Sequence, residues 1–111
     1  MLGIAWGVTF NYREMVIISK RKINEFIEKE ASSTKPLQNW YLRVKDQDWS
    51  SFPELKRTFP TADYVGNGLV VFNIGGNKWR IIARIIFGAR TVFIRFIGTH
   101  AQYDKVNLSD L

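Results

Sequence analysis

The residues best suited to chemistry in this chain are the arginines of its second half. Arg80 and Arg84 lie four positions apart in a run rich in isoleucine, so their side chains would share one face of a strand. If residues 88–89 form a two-residue turn, Ile82 lies opposite Arg95, and Arg95 joins that face. The pattern predicts an anion site, such as one for a phosphate. A solvated sheet face would show the same pattern, and a one-residue slip would move Arg95 to the other face.

A second group follows directly. His100, the single histidine, would share one side of a helix with Tyr103 and Asp104 if the tail is helical. Histidine is the natural proton carrier at cellular pH, and tyrosine can stack on a base or donate a hydrogen bond. Beside an arginine cluster, these residues have the parts for metal-independent cleavage of an RNA phosphodiester. The alternative for His100 is a capping or packing residue.

Composition removes several other chemistries. The chain has no cysteine and only one histidine, which excludes disulfides, thiolate zinc sites, iron–sulfur ligation and cysteine nucleophiles, and argues against a transition-metal site. The glycines at 66, 68, 75 and 76 have the spacing of turns and not of a dinucleotide or P-loop motif. We therefore expect neither a cofactor nor a metal.

The length of 111 residues and the net charge of +6 predict one small basic domain. The apolar stretch 2–10 has no basic segment before it and no small-residue cleavage site after it, so we expect an intracellular, soluble chain. Met15 opens a better start for a compact domain. We therefore expect residues 1–14 to be an N-terminal extension that arises from an upstream start or docks loosely as a strand. Residues 15–111 are expected to form the compact domain.

The elements that must position these residues are helices followed by strands. A β-branched strand at 16–18 precedes a helix capped by Ser19, whose apolar stripe is Ile23, Phe26, Ile27 and Ala31. A second helix begins at Ser33 or Thr34, ends near Gln47 and carries the stripe Leu37, Trp40, Tyr41 and Val44. A short helical turn is expected within 50–59.

The rest of the chain reads as β-structure. Strands are predicted at 69–74, 77–87 and 90–98, joined by two-residue turns at 75–76 and 88–89. This gives a three-stranded antiparallel meander, with the strand 16–18 at an edge. The predicted fold class is α+β, with two N-terminal helices packed on a twisted antiparallel sheet. The sheet is also the electropositive part, because residues 64–103 contain no Asp or Glu but do contain Lys78, Arg80, Arg84, Arg90 and Arg95.

Two motifs in this half are specific enough to indicate a family. They are VFNIGGNKWR at 71–80 and IRFIGTHAQYDK at 94–105, preceded by FPTAD at 59–63. The sequence from 15 to 106 resembles the HigB family of toxins from bacterial type II toxin–antitoxin modules. The resemblance implies a RelE/ParE-like fold and an mRNA interferase that cuts messages on the translating ribosome in the cytoplasm. It also implies a helix-turn-helix, HigA-like antitoxin, with operator DNA bound only through the complex and no membrane partner.

The resemblance also implies roles for residues. Arg80, Arg95, His100 and Tyr103 match the motifs and are the expected catalytic group, with the arginines as a phosphate clamp and His100 as proton carrier. Lys78 is a further phosphate contact within a motif. Arg84 and Arg90 lie outside the residues that carry the resemblance but are also expected to bind RNA phosphates. The residues expected to contact ribosomal RNA are Lys20, Arg21, Lys22 and Lys35.

Three other functions remain open on the sequence. A ParE-like poison of DNA gyrase would share the fold and would need no nuclease residues. An inert RNA-binding module would use the basic sheet only to hold phosphates. A degenerate toxin would bind its antitoxin without any activity.

Overall fold

The computed structural model describes residues 14–111, and in this range the chain forms a five-stranded sheet in the order β1-β5-β4-β3-β2. Except for Glu14, the predicted N-terminal extension lies outside the described residues. The strands are β1 (Val16–Ile18), β2 (Asp63–Tyr64), β3 (Leu69–Ile74), β4 (Trp79–Ile86) and β5 (Thr91–Thr99). The helices are α1 (Lys20–Lys29), α2 (Thr34–Lys45), α3 (Phe52–Thr58) and the single turn α4 (His100–Tyr103). In this range no helix is long and apolar enough to cross a membrane.

The predicted α+β class is confirmed, and the sheet differs in two details. The meander β3-β4-β5 is antiparallel as expected, but β1 pairs with β5 in parallel, so the sheet is mixed. The two-residue strand β2, which pairs with β3, was not predicted. The apolar run of β1 suits either direction of pairing, and the two helices that follow it decide which one forms.

Apolar periodicity explains how the helices pack. In α1, Ile23 is buried and Phe26 and Ile27 pack half-buried against the core. Ala31, the expected last member of this stripe, is exposed because α1 ends at Lys29 and a short 3-10 turn follows. In α2 the predicted stripe is confirmed, with Leu37, Trp40 and Val44 buried.

The sheet has an apolar layer on each face. One layer lies under the helices, where Trp40 of α2 packs edge-on against Phe72 of β3 at 5.3 Å between ring centroids. The other layer consists of Leu69, Val71 and Ile82, against which the C-terminal tail packs. Residues of that tail, including Tyr103, therefore have a structural role on the face opposite the helices.

The helix α3 begins with a polar contact at its first turn. Ser50 donates from its backbone nitrogen and its hydroxyl to the carboxylate of Glu54, at 2.9 and 2.8 Å. These hydrogen bonds, helped by the nearby Arg57, lower the pKa of Glu54. Because the folded-state pKa is depressed, this contact stabilises the fold at neutral pH and is lost as the pH falls through that pKa.

The predicted register of β4 and β5 is correct in its first half and wrong in its second. Pairing runs from Ile86 with Thr91 to Ala83 with Ile94, in the predicted register, but a 3-10 turn at Phe87–Ala89 replaces the predicted two-residue turn. A β-bulge then inserts Arg95, so that Ile82 faces Phe96. The bulge overturns the predicted pairing of Ile82 with Arg95. The turn at 75–76 is also wider than predicted, because Ile74 pairs with Trp79.

The turn between β3 and β4 gives a direct test of its packing. Gly75 and Gly76 both have positive φ, +60° and +71°, but a Cβ on Gly75 would strike the ring of Trp79, whereas one on Gly76 would meet open space. Gly75→Ala should therefore lower the free energy of unfolding by about 1–3 kcal/mol more than Gly76→Ala. Urea denaturation of both variants measures the difference, and equal losses would contradict the role given to Trp79.

Candidate functional site

Arg80 is the centre of the candidate site. It is only 9% exposed and pairs with Gly98 of β5. Its Nη1 donates to the carbonyls of Asn77 and Trp79 at 3.4 Å, and its guanidinium lies 5.7 Å from the ring centroid of Tyr103. Among residues 14–111 no carboxylate forms an ion pair with it. A buried cation without a counter-ion is unfavourable, so this position favours binding of an anion.

The turn α4 places the predicted tyrosine, Tyr103, over Arg80 and begins with His100 beside Lys78. Its N-cap is Thr99, whose hydroxyl accepts from the backbone nitrogen of Gln102 at 3.1 Å, while the Gln102 side chain accepts from the Thr99 nitrogen at 2.9 Å. This reciprocal capping box explains why the chain turns helical directly after β5. The nitrogen of His100 donates to the carbonyl of Lys78 at 3.2 Å, so Lys78 adjoins the same site.

The predicted placement of His100 and Asp104 on one side of a helical turn is confirmed. His100 Nδ1 lies 3.3 Å from Asp104 Oδ2, and the two side chains are 48% and 59% exposed. With Nδ1 directed to the carboxylate, Nε2 is the ring nitrogen that can exchange a proton with a bound molecule. The site thus combines a buried guanidinium with an imidazole at the surface.

The predicted convergence of three arginines is wrong. Arg84 shares the face of Arg80 but lies four residues away, about 13 Å along the strand, and donates to the backbone carbonyl of Asn67. Arg95 is the exposed bulge residue, and its guanidinium lies 5.7 Å from the ring centroid of Phe93. The three guanidiniums therefore contact different parts of the molecule, and Arg80 is the one that contacts Tyr103 of α4.

Arg95 instead lines a cavity together with another predicted residue, Lys22. Both line a cavity of about 250 Å³ between α1 and β5, together with Lys29, Glu25, Phe26, Phe96 and Ile97. The sequence analysis did not identify Lys29 as a residue of this cavity. The available signal was the spacing of Lys22 and Lys29 by seven positions, which places them on the same side of a helix.

Two other predicted RNA contacts lie away from this site. Arg90 precedes β5 and pairs with Asp48, whereas His100 follows the same nine-residue strand, so about 30 Å separates them. Lys20 lies over the ring of Tyr41, 4.9 Å from its centroid. The structure therefore places neither residue with Arg80.

Sequence reasoning also missed Asn73, which pairs with Arg80 across β3 and β4. The signal was a single polar residue in an otherwise apolar strand, Leu69–Ile74.

Among residues 14–111, no group of three or more His, Asp or Glu side chains could hold a metal ion.

Comparison with known proteins gives a consistent result. A family model described as "HigB_toxin, RelE-like toxic component of a toxin-antitoxin system" matches residues 33–106. The chain is 35% identical over 94 residues to a protein of Escherichia coli O6:H1 named "mRNA interferase HigB", covering 83% of this chain and 91% of that protein. It is 40% identical over 53 residues to "mRNA interferase toxin HigB" of Escherichia coli K12, covering 45% of this chain and 50% of that protein.

The capping box of α4 gives a test of how the site is held together. Thr99→Ala removes the acceptor for the Gln102 nitrogen, and loss of an N-cap costs about 1 kcal/mol. We expect faster hydrogen exchange at the Gln102 amide and weaker binding of inorganic phosphate. Thr91→Ala, at the other end of β5, is the control and should change neither measurement. Unchanged exchange in Thr99→Ala would show that α4 is held by its tertiary packing alone.

Proposed function

Because this chain belongs to the HigB family of RelE-like toxins, we propose that it acts as the mRNA interferase of a toxin–antitoxin pair. The relatives named mRNA interferases support an endoribonuclease activity. The observation that carries the proposal is the buried guanidinium of Arg80, which has no acidic partner among the described residues and contacts Tyr103, on the same helical turn as His100. Together these groups suit an anionic substrate that reacts by proton transfer.

The reaction is attack of an RNA 2′-hydroxyl on the adjacent phosphorus. His100 Nε2 accepts the proton of that hydroxyl, and Asp104 orients the ring. Arg80, with Lys78 beside it, stabilises the added negative charge on the pentacoordinate phosphorus. The bond to the 5′-oxygen then breaks, leaving a 2′,3′-cyclic phosphate, and the hydroxyl of Tyr103 gives a proton to the departing oxygen. This scheme uses no metal ion.

In this proposal Arg95 does not bind the reacting phosphate directly. It lies four residues before Thr99, about 13 Å along β5, in the cavity that it shares with Lys22 and Lys29. Three cations around Phe26 and Phe96 suit a neighbouring nucleotide of the same strand. We assign Arg95 and Lys22 to binding along the RNA.

The open site also gives a physical reason for action on the ribosome. A small surface site cannot by itself impose in-line geometry on a flexible single strand, and mRNA held in the decoding site would be presented already oriented. Exposed Lys20 and half-buried Lys22 of α1 are placed to contact ribosomal RNA.

The partner that neutralises the toxin would be a HigA-like helix-turn-helix antitoxin in the cytoplasm, and operator DNA would be bound through that complex.

Substitution of the central residues tests the activity. His100→Gln and Arg80→Gln should each lower cleavage of a reporter mRNA by about 10²- to 10⁴-fold, because one removes proton transfer and the other the stabilising charge. Primer extension after brief induction, with and without the antitoxin, maps the cuts. Arg57→Gln removes an exposed arginine of α3, outside the proposed contacts, and should leave cleavage unchanged. Growth arrest with intact mRNA would contradict the proposal and favour inhibition of gyrase.

Charge reversal on α1 tests the ribosome contact separately. Lys20→Glu combined with Lys22→Glu should weaken co-sedimentation with ribosomes, and the effect should shrink as salt rises, because the attraction is electrostatic. Lys45→Glu at the end of α2 is the control, since it makes one reversal at an exposed position outside the proposed contact. Unchanged pelleting of the double variant would contradict the assignment.

A further inference from the structure

A second cavity lies at the end of the sheet that carries Arg80. It has a volume of about 250 Å³ and opens between α2, the segment after α3 and the edge of β3. Its walls include Asn39, Trp40, Arg43, Phe59, Thr61 and Asn73. No carboxylate of the described residues lines it, and Arg43 gives it a positive charge. The cavity is therefore suited to part of an anionic polymer.

The indole of Trp40 supplies an unused hydrogen-bond donor. Trp40 is 2% exposed, and its Nε1 is buried without an acceptor in the described structure. Trp49 offers a contrast, because its Nε1 donates to Thr58 Oγ1 at 3.1 Å. A buried donor without a partner is costly. Trp40 lines the cavity, so a bound group that displaces a neighbouring side chain and presents an acceptor to Nε1 would remove that cost.

The backbone of Asn73 supplies a further donor and acceptor. Ile85 donates to the carbonyl of Gly68, and Val65 donates to the carbonyl of Leu69. Because backbone groups alternate along a strand, the even-numbered residues of β3 bond to β4 and the odd-numbered ones face the edge on the β2 side. β2 ends the pairing at Val71, so the N–H and C=O of Asn73 lie at an open edge, beside the cavity.

We propose that this cavity receives a single nucleobase of the RNA strand whose phosphate binds at Arg80, an inference that rests on the proposed function and adds a specificity site to it. A base is flat and carries donors and acceptors on its edge, which suits the rings of Trp40 and Phe59, the Asn39 amide and the edge of Asn73. The volume lies below the roughly 300 Å³ of the smallest pockets for drug-sized ligands, as a single base requires.

The register connects this cavity to the phosphate site. Asn73 and Arg80 form a pair without mutual backbone hydrogen bonds, whose Cα atoms lie about 4.5 Å apart. The nitrogen of Lys78 also donates to the carbonyl of Gly75, which lines the cavity. Because Arg80 and Tyr103 lie on the face of the sheet opposite α2, an RNA strand with a base in the cavity and a phosphate at Arg80 passes around the open edge of β3 at Asn73. A peptide strand fits less well, because the edge offers only Asn73 before the turn begins at Gly75.

The indole resonances of the whole protein test this directly. The ¹⁵N-labelled chain is titrated with AMP, GMP, CMP and UMP, and with ribose 5-phosphate as a probe without a base. We expect the Trp40 Nε1–H signal, assigned with Trp40→Phe, to move in a saturable way. One nucleotide should bind several-fold more tightly than the others. The Trp49 signal should stay in place, because its donor is already bonded.

A pair of variants on one helix adds a control. Asn39→Ala should lower the affinity for the preferred nucleotide by roughly five- to tenfold, which corresponds to the loss of one hydrogen bond. Gln38→Ala changes the adjacent residue, which is also exposed but does not line this cavity, and should leave the affinity unchanged. Equal losses in the two variants would overturn the assignment of Asn39.

The outcomes separate this inference from the proposed function. The base pocket is overturned if the Trp40 signal does not shift with any of the four nucleotides, or if it shifts equally with ribose 5-phosphate. This holds even if the mRNA is cut. A Trp40 response with clear base preference supports the pocket. If the same protein leaves translated mRNA intact, the proposed nuclease activity is overturned and the pocket is not.

Discussion

The packing of one charged side chain into the sheet organises this molecule. Arg80 is the only cation buried among residues 14–111, and two carbonyls and the ring of Tyr103 surround its guanidinium. Gly98, which pairs with Arg80, leaves room for the ring of Phe96 and the side chain of Gln102. Tyr103 in turn belongs to the tail that covers the second apolar face of the sheet. The functional charge and the packing of the tail are therefore parts of one arrangement.

This arrangement explains why an open site can still be well defined. His100 and Tyr103 stand on a single helical turn, which could not hold its geometry alone. The capping box of Thr99 and Gln102 fixes its beginning, and β5 anchors it in the sheet. The side chains that would contact RNA thus extend from the most tightly paired strands, so little ordering is left for the moment of binding.

Positive charge is distributed along the molecule and is not concentrated at one point. Arg80 and Lys78 lie at one end of the sheet, Arg95 and Lys22 border the cavity beside α1, and Arg43 borders the cavity at the edge of β3. Such spacing suits an extended strand with a charge at every nucleotide. It is less suited to a small anion, which would need several donors at a single position.

The sequence by itself determined the elements and the local motif at the end of β5. Periodicity gave the helices, the strands 69–74 and 91–99 within a residue, and the side of α4 that joins His100 to Asp104, because these depend on neighbours along the chain. Only the tertiary structure decided the parallel pairing of β1 and the bulge at Arg95. Pairing partners come from distant residues, and one inserted residue redirects a side chain without changing the apolar pattern.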